Sequence, residues 1–160
     1  MFDPILRPMT FPNLFDPEVN NTLKQRINSL THETQPKWGK MNVANMLGHC
    51  NVTYEMLYET KHKKPGGFMK LMLKLFVKQA VVGPKPYPKN SRTAPAFLIA
   101  DQREFETEKN RLLSYMQRVQ EEGSGAFEGR ESHSFGPLSL DQWNSMMYKH
   151  LDHHLKQFGV

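Results

Sequence analysis

The 160-residue chain holds a single cysteine, Cys50. No internal disulfide can form, and a reducing compartment is the natural setting. No segment reads as a bilayer span, because "PGGFMKLMLKLFVKQAVV" is too short and too charged. The opening residues, "MFDPILRPMTFPNLFDP", carry prolines and aspartate where a signal peptide needs a basic start and an apolar run. A cytoplasmic location is therefore the expectation. Internal repeats, low-complexity tracts and convincing alternating strands are also lacking; "APAFLIA" is too short to count as a strand. The net charge of +5 permits nucleic-acid binding, but no recognition-module signature accompanies it, so no nucleic-acid partner is expected.

Hydrophobic residues make up 38% and charged residues 23%, the balance of one globular domain over residues 1–160. Helical periodicity dominates. A first helix is predicted over about 16–31, with Asp16 as cap, Pro17 at the first position, and Val19, Leu23, Ile27 and Leu30 on one face. A second runs over about 42–60 from Asn42, with a stripe of Val43, Met46, Leu47, Cys50, Tyr54 and Leu57. A third, accessory helix is predicted over 66–82. After a proline-rich link, a fourth spans 101–122, where Asp101 and Glu104 have capping-box spacing. Ser139 and Gln142 give the last helix, 139–158, the same kind of start, and Gly159 ends it. The fold class is all-α, a bundle of four principal helices with one helix inserted between the second and third.

Histidines occupy unusual places in this pattern. On the last helix, Trp143, Met147, His150, His154 and Gln157 recur in alternating four- and three-residue steps and share one inward line. On the second, Asn42, Met46, His49, Thr53 and Met56 do the same. His150 and His154 differ by about 40° around the helix and about 6 Å along it, so two imidazoles can converge on one ion. Packing the two helices side by side would bring His49 to the pair. Three neutral imidazoles and a water would make an open site of the reactive kind. Chance gives about 0.3 histidine pairs at spacing four in such a chain, so the spacing also fits surface histidines or core histidines bonded to carbonyls. Position on the core line favours ligands, because unpaired polar groups there are costly. His153 falls beside this line, His133 could fold back over it, and His32 and His62 read as solvated. Cys50 reads as a buried, inert thiol and Asp152 as exposed. Glu55 points away from His49, and no carboxylate lies on the ligand line.

The segments "HLDHHLKQFG" and "PKWGKMNVANMLGHC" resemble the DinB-like superfamily of four-helix metal-binding proteins, closest to a branch defined as a domain of unknown function. The superfamily pattern falls here on His49, His150, His154 and Gln157. Leu155, followed by Lys156, stands where an arginine is often found. The resemblance implies a DinB-like four-helix bundle with a long crossover, a divalent metal such as nickel or zinc on the three histidines, and a homodimer. It also implies a metal-dependent enzyme, a thiol-dependent transferase or a hydrolase, acting on a small-molecule substrate that is a low-molecular-weight thiol in some relatives. A non-catalytic metal-binding or stress-response module is the alternative.

A third reading concerns the accessory helix, where Lys70, Lys74 and Lys78 alternate with apolar residues. Such a helix can lie on a lipid surface. The expectation is instead that its apolar side covers the bundle or a dimer partner, with no membrane involved.

Overall fold

The computed structural model describes residues 9–160. The reading of the first eight residues as unlike a signal peptide, and their place in the domain, lie outside the described residues. The chain is mainly helical. Helix α1 spans Pro17–Asn28. The Asp16 carboxylate accepts from the Glu18 amide at 2.8 Å, as its N-cap position requires. Helix α2 spans Val43–Tyr58, and the Asn42 side chain accepts from the Asn45 amide. Helix α5 covers Phe105–Glu122 and α6 covers Leu140–Gln157. Ser139 and Gln142 form the capping box that opens α6, and Gly159 turns the chain away at φ +84°.

Three local expectations need correction. The helix expected from residue 101 starts at Phe105, because Glu104 is the cap and accepts from the Glu106 and Thr107 amides. Asp101 instead pairs with Arg103 at 3.0 Å. The accessory helix is two pieces, α3 at Gly67–Phe76 and α4 at Lys78–Val82, divided at Val77. The loop before α6 contains a two-residue antiparallel ribbon, β1 at Glu131–Ser132 and β2 at Gly136–Pro137. Gly136 adopts φ +77° at its turn, and the Ser132 hydroxyl donates to the Gly136 carbonyl. Strands this short leave no alternation to read. "APAFLIA" holds a 3-10 turn over Pro95–Phe97, not a strand.

The core lies where α2 packs on α5, α1 on α5 and α6, and α6 on α2 and α4. Leu23, Ile27, Met46, Leu47, Leu112, Met116, Met147 and Leu155 fill it. The second face of α2 is polar but also buried. There Asn51 donates to Glu108, and Arg111 bridges Glu108 and Glu55. Burying these carboxylates is tolerable only because each has cationic partners. Helix α3 departs most from expectation. None of its residues is buried, and only Leu73 packs against the core cluster. Its apolar side therefore does not cover the bundle. Among the described residues, no helix is long and apolar enough to cross a membrane.

Candidate metal centre

Two helices and two loops build the site. Helix α2 places His49 at its middle, and α6 places His150 and His154 one turn apart near its end. The three ligand-capable nitrogens all lie within 4.8 Å of one another. The ring centroids are 4.5–4.9 Å apart, and the planes are inclined rather than stacked. The His49 and His150 Nε2 atoms stand at 2.9 Å. His49 and His154 are buried, and His150 keeps partial exposure.

The outer nitrogens decide what the inner ones can do. His49 Nδ1 lies 2.9 Å from the Phe97 carbonyl, which only accepts, so Nδ1 carries the proton and Nε2 a bare lone pair. His154 Nδ1 faces Gln157 Oε1 at 2.8 Å. The Gln157 amide nitrogen is committed to the Trp38 carbonyl at 2.8 Å, which fixes its oxygen toward the ring. His154 Nε2 is therefore also unprotonated in the neutral ring. His150 Nδ1 meets the Thr53 hydroxyl at 3.2 Å. A hydroxyl can accept or donate, so Thr53 serves either tautomer of His150. With His49 Nε2 bare, the 2.9 Å contact is a hydrogen bond donated by His150 Nε2, and Thr53 then donates to His150 Nδ1. In the other tautomer Thr53 accepts and His150 Nε2 is free to bind a cation. Outer-nitrogen hydrogen bonds of this kind are what metal-ligating histidines normally make.

The electrostatics agree. Burial pushes the His154 pKa down to about 3, with His49 adding to the shift and Gln157 opposing it. Burial first, then the charges of His154 and His49, hold His150 well below its ordinary value. His49 is lowered for the same leading reason. All three rings are thus neutral near pH 7, the state in which imidazole binds metals.

Aromatic rings form the walls. Phe97 stands edge-on to His49 and His150, Tyr87 to His150 and His153, and Trp38 to His153. The segment that carries Tyr87 is anchored by Lys149, whose ammonium is buried and donates to the carbonyls of Ala80, Gly83 and Lys85. Burial brings its pKa down to about 8. Gly39 closes the opposite side. It adopts φ +80°, and a Cβ there would meet the Gln157 amide nitrogen at 2.8 Å. Thr53 and Gln157 lie on the two histidine seams and were open to sequence reading. Phe97, Tyr87 and Lys149 carry no such signal.

The remaining histidines are not members of the three-nitrogen cluster. His153 packs between Trp38 and Tyr87 beside His154. His133 does not fold over the site, since its ring contacts Ser134 and the His62 carbonyl. His62 is not simply solvated, because it pairs with the buried Glu55 at 2.7 Å. His32 is exposed. Glu55 turns away from His49 into the Arg111 network, as its helical phase requires. Asp152 is only partly exposed, being held by Arg26 at 2.8 Å and Lys156 at 2.7 Å. Cys50 is buried, and burial pushes its thiol pKa up, which makes it a poor nucleophile.

Fold and site together define a mainly helical protein with a three-histidine cluster able to hold one metal ion. The chain belongs to the family described as "Protein of unknown function (DUF1569)", whose model matches residues 10–159 and so includes all three histidines. No curated protein and no solved structure matches it.

Proposed function

We propose that this chain is a metal-dependent enzyme of the DinB-like kind. In this reading α1, α2, α5 and α6 are the four-helix bundle, and α3–α4 is its insertion. His49, His150 and His154 are the ligands of one divalent transition metal, nickel or zinc. The observation that carries the reading is the tethering of all three Nδ1 atoms while one ligand nitrogen of each ring lies within 4.8 Å of the other two. A divalent ion held there would supply a Lewis acid that lowers the pKa of a small thiol or a water. The chain's own part is to hold the rings in place through Phe97, Thr53 and Gln157, and to limit water with Phe97 and Tyr87. Among the described residues, the hydrogen bonds of the three rings include no carboxylate. A thiol, which ionises readily, needs no such base, and this favours thiol transfer over hydrolysis. The substrate is then a small molecule with a low-molecular-weight thiol as partner, in the cytoplasm. The family resemblance adds a homodimer.

Elemental analysis of untagged protein, purified without chelator, tests the site. About one equivalent of transition metal is expected for the wild type and none for His150→Ala/His154→Ala. A wild type that is empty and takes up neither nickel nor zinc removes the reading. A second reading, a non-catalytic metal-binding module, draws on the burial of His49 and His154 behind aromatic walls. Cobalt-substituted protein separates the two. A change in its visible spectrum on adding a small thiol favours the enzyme, and an unchanged spectrum favours the closed module.

A further inference from the structure

We propose that α3 and the lysines around it dock this protein on a bilayer surface that carries anionic lipids. Six of the seven large hydrophobic side chains that stand exposed among the described residues fall between Phe68 and Val77. Phe68 is 77% exposed, Phe76 73% and Leu75 63%. Phe68, Leu71, Met72 and Leu75 follow the i, i+3, i+4, i+7 spacing of one helix face. Lys74 and Lys78 border that stripe. Contiguous apolar exposure of this kind on a folded domain marks an interaction surface.

Charge identifies the occupant. Residues 60–100 contain nine lysines and arginines and not one aspartate or glutamate. The rest of the chain has twelve basic against sixteen acidic residues, a net charge of −4 beside this span's +9. Lys63, Lys64, Lys74 and Lys78 have no carboxylate partner among the described residues, whereas Lys70 is held by Glu131 at 2.5 Å. A second copy seated on the same face by twofold symmetry would bring the unpaired lysines of both copies together, with Glu131 already engaged by Lys70. A nucleic acid would satisfy the lysines but leave the phenylalanines in water. An anionic leaflet satisfies both, since the apolar stripe enters the acyl boundary and the lysines meet phosphate headgroups. The expectation of no membrane partner rested on the bundle or a dimer partner covering this side, and the bundle does not cover it. The proposal is independent of the metal reading.

Flotation of the full chain with vesicles tests it. Vesicles of phosphatidylcholine alone are compared with vesicles that also contain phosphatidylglycerol, at low and high salt. Binding to the mixed vesicles only, weakened by salt, is expected. Each lysine at such a surface is worth about fivefold in partitioning, so Lys74→Glu/Lys78→Glu should lose at least about 25-fold. Phe68→Ser/Phe76→Ser should lose as much. Phe68, Lys74 and Phe76 are exposed and Lys78 is partly so, and unchanged circular dichroism will show that the fold is retained. No flotation with mixed vesicles overturns the proposal. So does undiminished flotation of the Phe68→Ser/Phe76→Ser variant, or a solution dimer that this variant dissociates while the wild type ignores lipid.

Discussion

Replacing His154 by leucine should flatten the acid sensitivity of the metal-free protein. In the fold, burial holds the His154 pKa at about 3, against an ordinary value of 6.5. Because the folded value is the lower one, the unfolded chain takes up a proton first as the pH falls. Stability is then complete above about pH 6.5 and is lost progressively from there toward about pH 3. Between about pH 7 and about pH 5 this single ring should cost about 2 kcal/mol. The urea midpoint should move by about 1 M for a chain of this size. His49 and His150 add losses of the same sign, since both are also lowered. The contrast between wild type and His154→Leu isolates one ring. Urea unfolding in the presence of chelator, followed by far-ultraviolet circular dichroism at both pH values, measures it. The wild type should lose about 2 kcal/mol more than the variant. Parallel losses in the two proteins would mean that His154 is not held neutral by burial, and the electrostatic account of the site would fail.

Gln157→Leu removes the acceptor that orients His154, and competition with a chromophoric chelator should show metal affinity reduced about 10- to 100-fold. Arg111→Met strips cationic partners from the buried carboxylates of Glu55 and Glu108. Thermal unfolding should then report a loss of about 2 kcal/mol, moderated by the exposure of the arginine and by the Lys61 and His62 contacts. Lys149→Met leaves the Ala80, Gly83 and Lys85 carbonyls without their donor. Amide exchange over residues 78–87 should quicken about 30-fold, a local loss of about 2 kcal/mol.

Helical phase made much of the site legible. His49 and His150 each recur on an apolar seam, and two such seams in neighbouring helices must face one another. Thr53 and Gln157 were visible on the same lines, and Asp16, Asn42 and Ser139 cap their helices as their residue types require. Glu104 was harder to read, because Asp101 three residues earlier offers a stronger cap type that the chain spends on Arg103. The walls were beyond reach. Tyr87 and Phe97 sit in a proline-rich link with no period, and their approach to the histidines is set by how that link drapes over α6. Lys149 reads as a surface residue in any pattern, yet three carbonyls from α4 and the turn after it enclose its ammonium. The α3 periodicity was visible, but the direction it faces depends on where the chain leaves α2.

His49 and His150 are 101 positions apart. An ion shared between them would bind only where the fold brings the two rings together, so its binding free energy would add to the stability of the fold. At a free-ion level about a thousandfold above its dissociation constant, that addition is about 4 kcal/mol. That is a large part of the 5–15 kcal/mol that holds a typical domain together. In a chain whose lone cysteine has no partner, this added stability would be set by the supply of the ion instead of by redox chemistry.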